Sequence, residues 1–64
     1  MNKSLIAKRL VEIRKGETQE DVARAIGVSL SAMAMYETGK RIPRDEIKVK
    51  LARHYNTTVE SLFF

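Results

Sequence analysis

The sequence predicts an all-α domain with five helices. Two observations support this: apolar residues recur at intervals of three and four rather than two, and only three glycines and one proline interrupt 64 residues. A chain of this length buries only about 60% of its unfolded surface, so it has room for one hydrophobic core. We therefore expect a single domain over residues 1–64. Its helices are expected at about residues 4–14, 19–26, 30–38, 44–55 and 59–63.

The first helix is predicted from one apolar stripe and a breaker. Lys15 and Gly16 end the pattern, which places the end of the helix at about Arg14. Lys8 and Arg9 lie off the stripe. The stripe consists of Leu5, Ile6, Leu10 and Ile13.

The second and third helices are delimited by capping residues and glycines. Thr18, with Asp21 three residues later, forms a start similar to a capping box, so the second helix begins at residue 19. Gly27 ends that helix, because glycine adopts the left-handed conformation at little cost. Ser29 can cap the third helix, and Gly39 ends it in the same way.

The last two helices follow a short loop. Pro43 is predicted near the first helical position, and Asp45 and Glu46 suit the positive end of the helix dipole. Asn56 ends the fourth helix, and Thr57 or Thr58 caps the fifth. The inward face of the fourth helix is expected to contain Ile47, Leu51, Ala52 and Tyr55, and that of the fifth Val59, Leu62 and Phe63.

Composition restricts the function. Lys and Arg total 12 against 8 Asp and Glu, and a pI near 9.8 suggests a polyanionic partner. Without cysteine there is neither a disulfide framework nor a thiolate metal site. The sequence has no run of about 18 apolar residues to span a membrane and no secretory signal, so we expect a cytoplasmic protein with no membrane partner.

Residues 19–36, QEDVARAIGVSLSAMAMY, have the pattern of a helix-turn-helix motif. Ala23 stands where a crossing helix leaves no space for a larger side chain, and Gly27 stands at the tight turn. The apolar positions of the pattern are Val22, Ile26, Val28, Met33 and Tyr36.

Over nearly its whole length the chain resembles the Cro and phage-repressor type of helix-turn-helix domain, the xenobiotic-response-element group of bacterial regulators. The matching segments are IAKRLVEIRK, TQEDVARAIGVS, YETGKRIPRDEI and VESLFF. The resemblance implies a five-helix, lambda-repressor-like DNA-binding domain of bacterial or phage type. Its second helix would cross the DNA backbone, and its third would lie in the major groove.

The resemblance also implies roles for individual residues. Gln19 matches a glutamine that opens the second helix and meets a phosphate, and Arg41 matches a basic residue of the loop. Glu37 matches a glutamate that pairs with an arginine at the end of the first helix, here Arg14. The connection from Arg14 to Thr18 is shorter than in many members, in which an apolar residue precedes the threonine.

The third helix has few groups that hydrogen-bond to bases. On a wheel of about 100° per residue, Met33 and Tyr36 face the core, and no charged or amide side chain lies on the opposite face. Family members often carry Gln, Arg or Lys at the positions of Leu30 and Met35. We expect base contacts from Leu30, Ser31, Ala34, Met35 and Thr38. The two hydroxyls can form single hydrogen bonds, and the apolar side chains can contact thymine methyl groups.

Binding affinity must therefore come mainly from phosphate contacts. The third helix is followed directly by basic residues, and polar residues lie at the starts of the second and third helices. The expected phosphate contacts are Gln19, Ser29, Lys40, Arg41 and Arg44.

The sequence gives little support for catalysis or metal binding. His54 is the only histidine, so a metal site lacks ligands, and a histidine in the last turn of a helix is the favoured interpretation. No base lies near Ser29 or Ser31 to activate either hydroxyl. We expect a protein that is not an enzyme and needs no cofactor.

The predicted function is a sequence-specific double-stranded DNA-binding transcriptional regulator, a repressor that acts by occupying its site. A lone domain reading few base pairs would be weakly specific, so a homodimer is expected, with Val49 and Phe64 as candidates for the dimer surface. The alternative is an antitoxin-like or adaptor module of the same fold, in which Leu30, Ala34 and Met35 contact a protein partner.

Overall fold

The computed structural model of the protein describes residues 2–64. These residues form five α-helices and no strand, so the predicted all-α, five-helix fold is confirmed. The longest helix has 12 residues, and none within residues 2–64 is long and apolar enough to cross a membrane. The helices are α1 (Lys3–Arg14), α2 (Gln19–Ile26), α3 (Leu30–Thr38), α4 (Asp45–His54) and α5 (Val59–Phe63).

Side-chain caps fix the start of four of the five helices. In each of the four, a side-chain oxygen accepts a hydrogen bond from the backbone N–H three residues later, which satisfies a donor that the helix itself leaves free. Asn2 caps α1 in this way, so that helix begins at Lys3, one residue before the prediction. The caps of the other three are Thr18, Ser29 and Thr58.

The fourth helix differs slightly from its predicted bounds. Arg44 is the N-cap and has an extended backbone, so α4 begins at Asp45 and Pro43 lies before the cap rather than at the first helical position. Tyr55, the C-cap, has left the helical conformation, with φ −88° and ψ 5°. Asp45 and Glu46 lie in the first turn, where carboxylates interact favourably with the helix dipole.

All five helices contribute to one hydrophobic core. The stripe predicted for α1 needs one correction: Leu5 is 41% exposed, whereas Ala7 is buried. The two residues lie on opposite sides of Ile6 on the helix wheel, and only the side of Ala7 faces α3, where a small residue fits beside Gly39. The core consists of Ile6, Leu10, Val22, Ala23, Ile26, Met33, Tyr36, Leu51, Ala52, Leu62 and Phe63.

Lys48 is a buried cation that the apolar pattern did not predict. Its Nζ lies 3.4 Å from Oδ1 of Asp45, and it also lies 5.8 Å from the ring centroids of Phe63 and Phe64. The aliphatic stem can fill apolar space while the ammonium contacts a carboxylate and two aromatic faces. Lys48 therefore joins α4 to the C-terminal end of α5.

The core predicts a sharp contrast between a buried and an exposed apolar position. Leu51 is fully buried, so Leu51→Ala removes packed methyl groups and should lower the free energy of unfolding by about 2–5 kcal/mol. Val11→Ala is the matched control, because Val11 on α1 is 44% exposed, and it should change stability by no more than about 0.5 kcal/mol. Urea denaturation of the two variants measures both values. Equal losses would contradict the described core.

Candidate nucleic-acid interface

Helices α2 and α3 form a helix-turn-helix unit joined by three residues. Gly27 has φ +77°, and the N–H of Val28 donates to the carbonyl of Ala23 at 2.9 Å, which closes the end of α2. Ser29 Oγ accepts from the N–H of Ala32 at 3.0 Å and opens α3. Ala23 is 3% exposed, as expected where two helices cross closely. The turn thus fixes α3 relative to α2.

A buried carboxylate links three helices. The Glu37 side chain is only 2% exposed; its Oε2 accepts from Arg14 Nε on α1, and its Oε1 accepts from Gln19 Nε2 on α2, both at 2.8 Å. The hydrogen bond to Glu37 raises the pKa of the Arg14 guanidinium, which remains charged. We call Arg14, Gln19 and Glu37 the Glu37 cluster. It attaches the C-terminal half of α3 to both preceding helices.

The short connection between α1 and α2 accommodates the Glu37 cluster through a backbone turn. Lys15 has φ +39°, an uncommon value outside glycine, and it reverses the chain directly after α1. Arg14 Nη1 also donates to the carbonyl of Glu17 at 2.8 Å. The guanidinium therefore holds the connection and the Glu37 carboxylate together.

Gln19, expected at a phosphate, is half-buried and makes an internal contact. One N–H of its amide donates to Glu37, while Gln19 itself occupies the first position of α2. The resemblance predicted a pair between Glu37 and Arg14, but the contact between Glu37 and Gln19 was not predicted. Gln19 and Glu37 are 18 residues apart on different helices, so no local sequence pattern indicates their contact.

Beside the Glu37 cluster, the end of α4 contacts the loop between α1 and α2. Nε2 of His54 lies 2.8 Å from Oε1 of Glu17, and the His54 ring makes an edge contact with the ring of Tyr55. The Tyr55 hydroxyl is buried, and it forms no hydrogen bond with the described part of the chain. Burial, reinforced by the carboxylates of Glu37 and Glu17, raises the pKa of the Tyr55 phenol to about 12.

The outer face of α3 contains the expected base contacts. We call these five residues the recognition face: Leu30, Ser31, Ala34, Met35 and Thr38. Leu30 is 51% exposed, Ser31 and Thr38 are exposed, and Ala34 and Met35 are half-buried. Oγ1 of Thr38 donates to the carbonyl of Ala34 at 2.9 Å, so Ser31 carries the one hydroxyl on this face with no described hydrogen bond.

Three exposed cations follow the recognition face. We call Lys40, Arg41 and Arg44 the cationic loop; within residues 2–64 none of them lies within ion-pair distance of a carboxylate. The backbone N–H groups of Lys40 and Arg41 donate to the carbonyl of Met35 at 3.0 and 3.3 Å. Gly39 makes this turn possible, because its φ of +77° is a backbone conformation that residues with a side chain rarely adopt.

The candidates for a dimer surface are exposed apolar residues on α4 and directly after α5. Val49 is 38% and Phe64 is 70% exposed. Phe64 is nevertheless held in place, since its N–H donates to the carbonyl of Glu60 at 3.0 Å, and its own carbonyl accepts from Nη1 of Arg9 at 3.2 Å. The backbone of this exposed residue is thus held in place.

Comparison with known proteins identifies relatives of the chain. A family model described as helix-turn-helix matches residues 6–62. Two proteins of Archaeoglobus fulgidus, both described as uncharacterised HTH-type transcriptional regulators, are 38% and 35% identical over 48 and 46 residues. The matched segments cover 75% and 72% of this chain, and 69% and 65% of the relatives. No solved structure gave a significant match.

The buried phenol of Tyr55 predicts a loss of stability in alkaline solution. Its pKa is about 12 in the folded protein against about 10 when unfolded, so between these values the unfolded state binds fewer protons and stability falls as the pH rises. Below pH 10 this contribution is fully present. Thermal melts of the wild type and of Tyr55→Phe from pH 8 to 12 provide the test: the variant should lose less stability above pH 10. Parallel profiles would contradict the assignment.

Proposed function

We propose that this chain binds double-stranded DNA sequence-specifically with α3 in the major groove. The premise is that the chain belongs to the helix-turn-helix family of Cro and phage-repressor-type regulators. Members of this family are DNA-binding transcriptional regulators and not enzymes. In this proposal α3 enters the major groove, the recognition face contacts the bases, and the cationic loop contacts phosphates.

The observation that carries the proposal is that α3 is packed firmly on one side and exposed on the other. Its inner side is fixed by Met33, Tyr36 and the Glu37 cluster, while its outer face is open to solvent. An α-helix with its side chains is about 10–12 Å in diameter, and the major groove is about 12 Å wide, so the groove admits a helix such as α3. The recognition face is then the side of α3 that is free to contact base edges.

The cationic loop supports the same orientation. Lys40 and Arg41 directly follow the end of α3, Arg44 is the N-cap of α4, and all three are exposed. The proposal places them where the DNA backbone borders the groove. Ser29 and Gln19 lie at the starts of α3 and α2 and complete the proposed phosphate contacts. One N–H of the Gln19 amide is used by Glu37, which orients the second N–H for a phosphate oxygen. Glu37 would thus position a DNA-binding group.

The regulator is proposed to act as a cytoplasmic repressor that blocks a promoter by occupying it. A single recognition face contacts too few base pairs for high specificity, so we propose a homodimer on half-sites about 34 Å apart. Val49 and Phe64 are proposed for the dimer surface, because both are exposed apolar residues and Phe64 is held by backbone contacts. Sedimentation of the protein with and without DNA tests this arrangement.

One observation favours a second function. Leu30 is 51% exposed, and Ala34 and Met35 are half-buried on the same outer face, which suits an antitoxin-like or adaptor role with a protein partner. The two functions differ in salt dependence. DNA binding that neutralises several phosphates weakens steeply between about 50 and 200 mM salt, whereas burial of an apolar face does not.

The phosphate contacts predict how Arg41→Ala affects binding. The variant should bind every duplex more weakly, and the slope of log K against log salt should decrease in magnitude by about 0.9, the value for one phosphate contact. Fluorescence anisotropy with a labelled duplex at several salt concentrations measures both quantities.

Arg53→Ala is the matched control, because it removes the same charge from an exposed position on α4, outside the cationic loop. It should leave the salt slope unchanged. Equal slopes for the two variants would exclude the proposed role of Arg41, and a wild type with no duplex binding at 50 mM salt would exclude the proposed function.

A further inference from the structure

We propose that the recognition face identifies its operator chiefly through the 5-methyl groups of thymine, so that T·A pairs with their methyl groups in the major groove form the core of each half-site. This inference rests on the proposed function and specifies which DNA sequences the protein would prefer. It follows from the few hydrogen bonds that α3 can donate or accept and from the apolar surface that it exposes.

The hydrogen-bonding capacity of the recognition face is small. Thr38 uses its hydroxyl hydrogen on the Ala34 carbonyl, and Glu37, the only charged residue of α3, is buried and bonded on both carboxylate oxygens. Among the hydroxyls of the recognition face, only that of Ser31 has no described hydrogen bond. Guanine and adenine are usually identified by two parallel hydrogen bonds from Arg, Asn or Gln, and no residue of α3 can form such a pair.

The apolar capacity is larger and is ordered along the helix. Leu30, Ala34 and Thr38 lie in one row at intervals of four residues, about 6 Å apart along the helix axis, and Ser31 and Met35 form the adjacent row. Successive base pairs rise by about 3.4 Å, so neighbouring positions of a row correspond to roughly two base-pair steps. Both rows therefore offer apolar surface to several base pairs at once.

Such a surface discriminates between bases by methyl burial and by desolvation. Thymine is the only base with a methyl group in the major groove, whereas cytosine presents an N4 amino donor there. Burying one methyl group is worth about 0.8 kcal/mol, which corresponds to a factor of about four in affinity. The same apolar side chains leave the cytosine amino group without an acceptor, so a C·G pair is disfavoured for a second reason.

The test removes the methyl groups alone. A preferred duplex is first selected from a random pool, and each thymine in a half-site is then replaced singly by deoxyuridine, which keeps base pairing and the O4 acceptor. At contacted positions we expect about a fourfold loss of affinity per methyl group. A T·A to C·G change should cost more, and 5-methylcytosine at that position should recover part of the loss.

Two matched variants connect the effect to α3. At the base pair that Leu30 contacts, Leu30→Ala should reduce the difference in affinity between the thymine duplex and the deoxyuridine duplex. Val11→Ala, which truncates an apolar residue on α1 that is also exposed, should keep the wild-type difference. Both positions are exposed, and thermal melts check that the variants fold. An unselected duplex should show no effect of deoxyuridine.

The outcomes separate the inference from the proposed function. Specific duplex binding that ignores deoxyuridine at every position, or a selected site without thymine, would overturn methyl recognition and leave DNA binding intact. Absence of duplex binding at low salt would overturn both. Loss of affinity at particular thymines that disappears in Leu30→Ala or Met35→Ala would support the inference.

Discussion

The buried carboxylate of Glu37 joins three helices through two hydrogen bonds of 2.8 Å. A carboxylate loses its hydration when it is buried, and this cost is offset only when both oxygens find donors in good geometry. Here Arg14 supplies a charged donor from α1, and Gln19 supplies an amide donor from α2. If either helix shifted, the carboxylate would lose a partner, so the contact constrains the position of α3 more tightly than apolar packing alone.

This constraint determines what α3 exposes. With Met33, Tyr36 and Glu37 turned inward, the five residues of the recognition face must lie on the opposite side. Gly39 then ends the helix beside α1, and its left-handed turn brings Lys40 and Arg41 alongside the last turn of α3. The geometry of the proposed DNA-binding surface is therefore a consequence of contacts made inside the domain.

The family and the five-helix fold could be predicted from the sequence because the signals are local. Capping residues and glycines mark the helix ends, and the apolar spacing identifies the core of α2 and α3. What could not be predicted depends on tertiary packing. The prediction was wrong at the edge of the α1 stripe, where Leu5 is exposed and Ala7 is buried. A helical wheel shows which residues share a face, but it does not show which edge of that face packs against a neighbouring helix.

The missed polar contacts have a similar explanation. Lys48 is buried, with its ammonium 5.8 Å from the ring centroids of Phe63 and Phe64 and 3.4 Å from Oδ1 of Asp45. It was not predicted, because a charged residue within an apolar pattern ordinarily indicates the solvent face. The contact between Gln19 and Glu37 joins residues on separate helices and has no sequence signature. The roles of the recognition face and the cationic loop remain predictions, since they concern a partner rather than the fold.

The claim that Glu37 fixes the helix arrangement is tested most directly by a double-mutant cycle. Arg14→Met keeps the length of the side chain without its charge, and Glu37→Gln keeps the shape of the acceptor. Urea denaturation of the wild type, both single variants and the double variant gives the coupling free energy. We expect a favourable coupling of at least about 1 kcal/mol, within the range for residues in direct contact. Additive effects, with a coupling below about 0.5 kcal/mol, would contradict it.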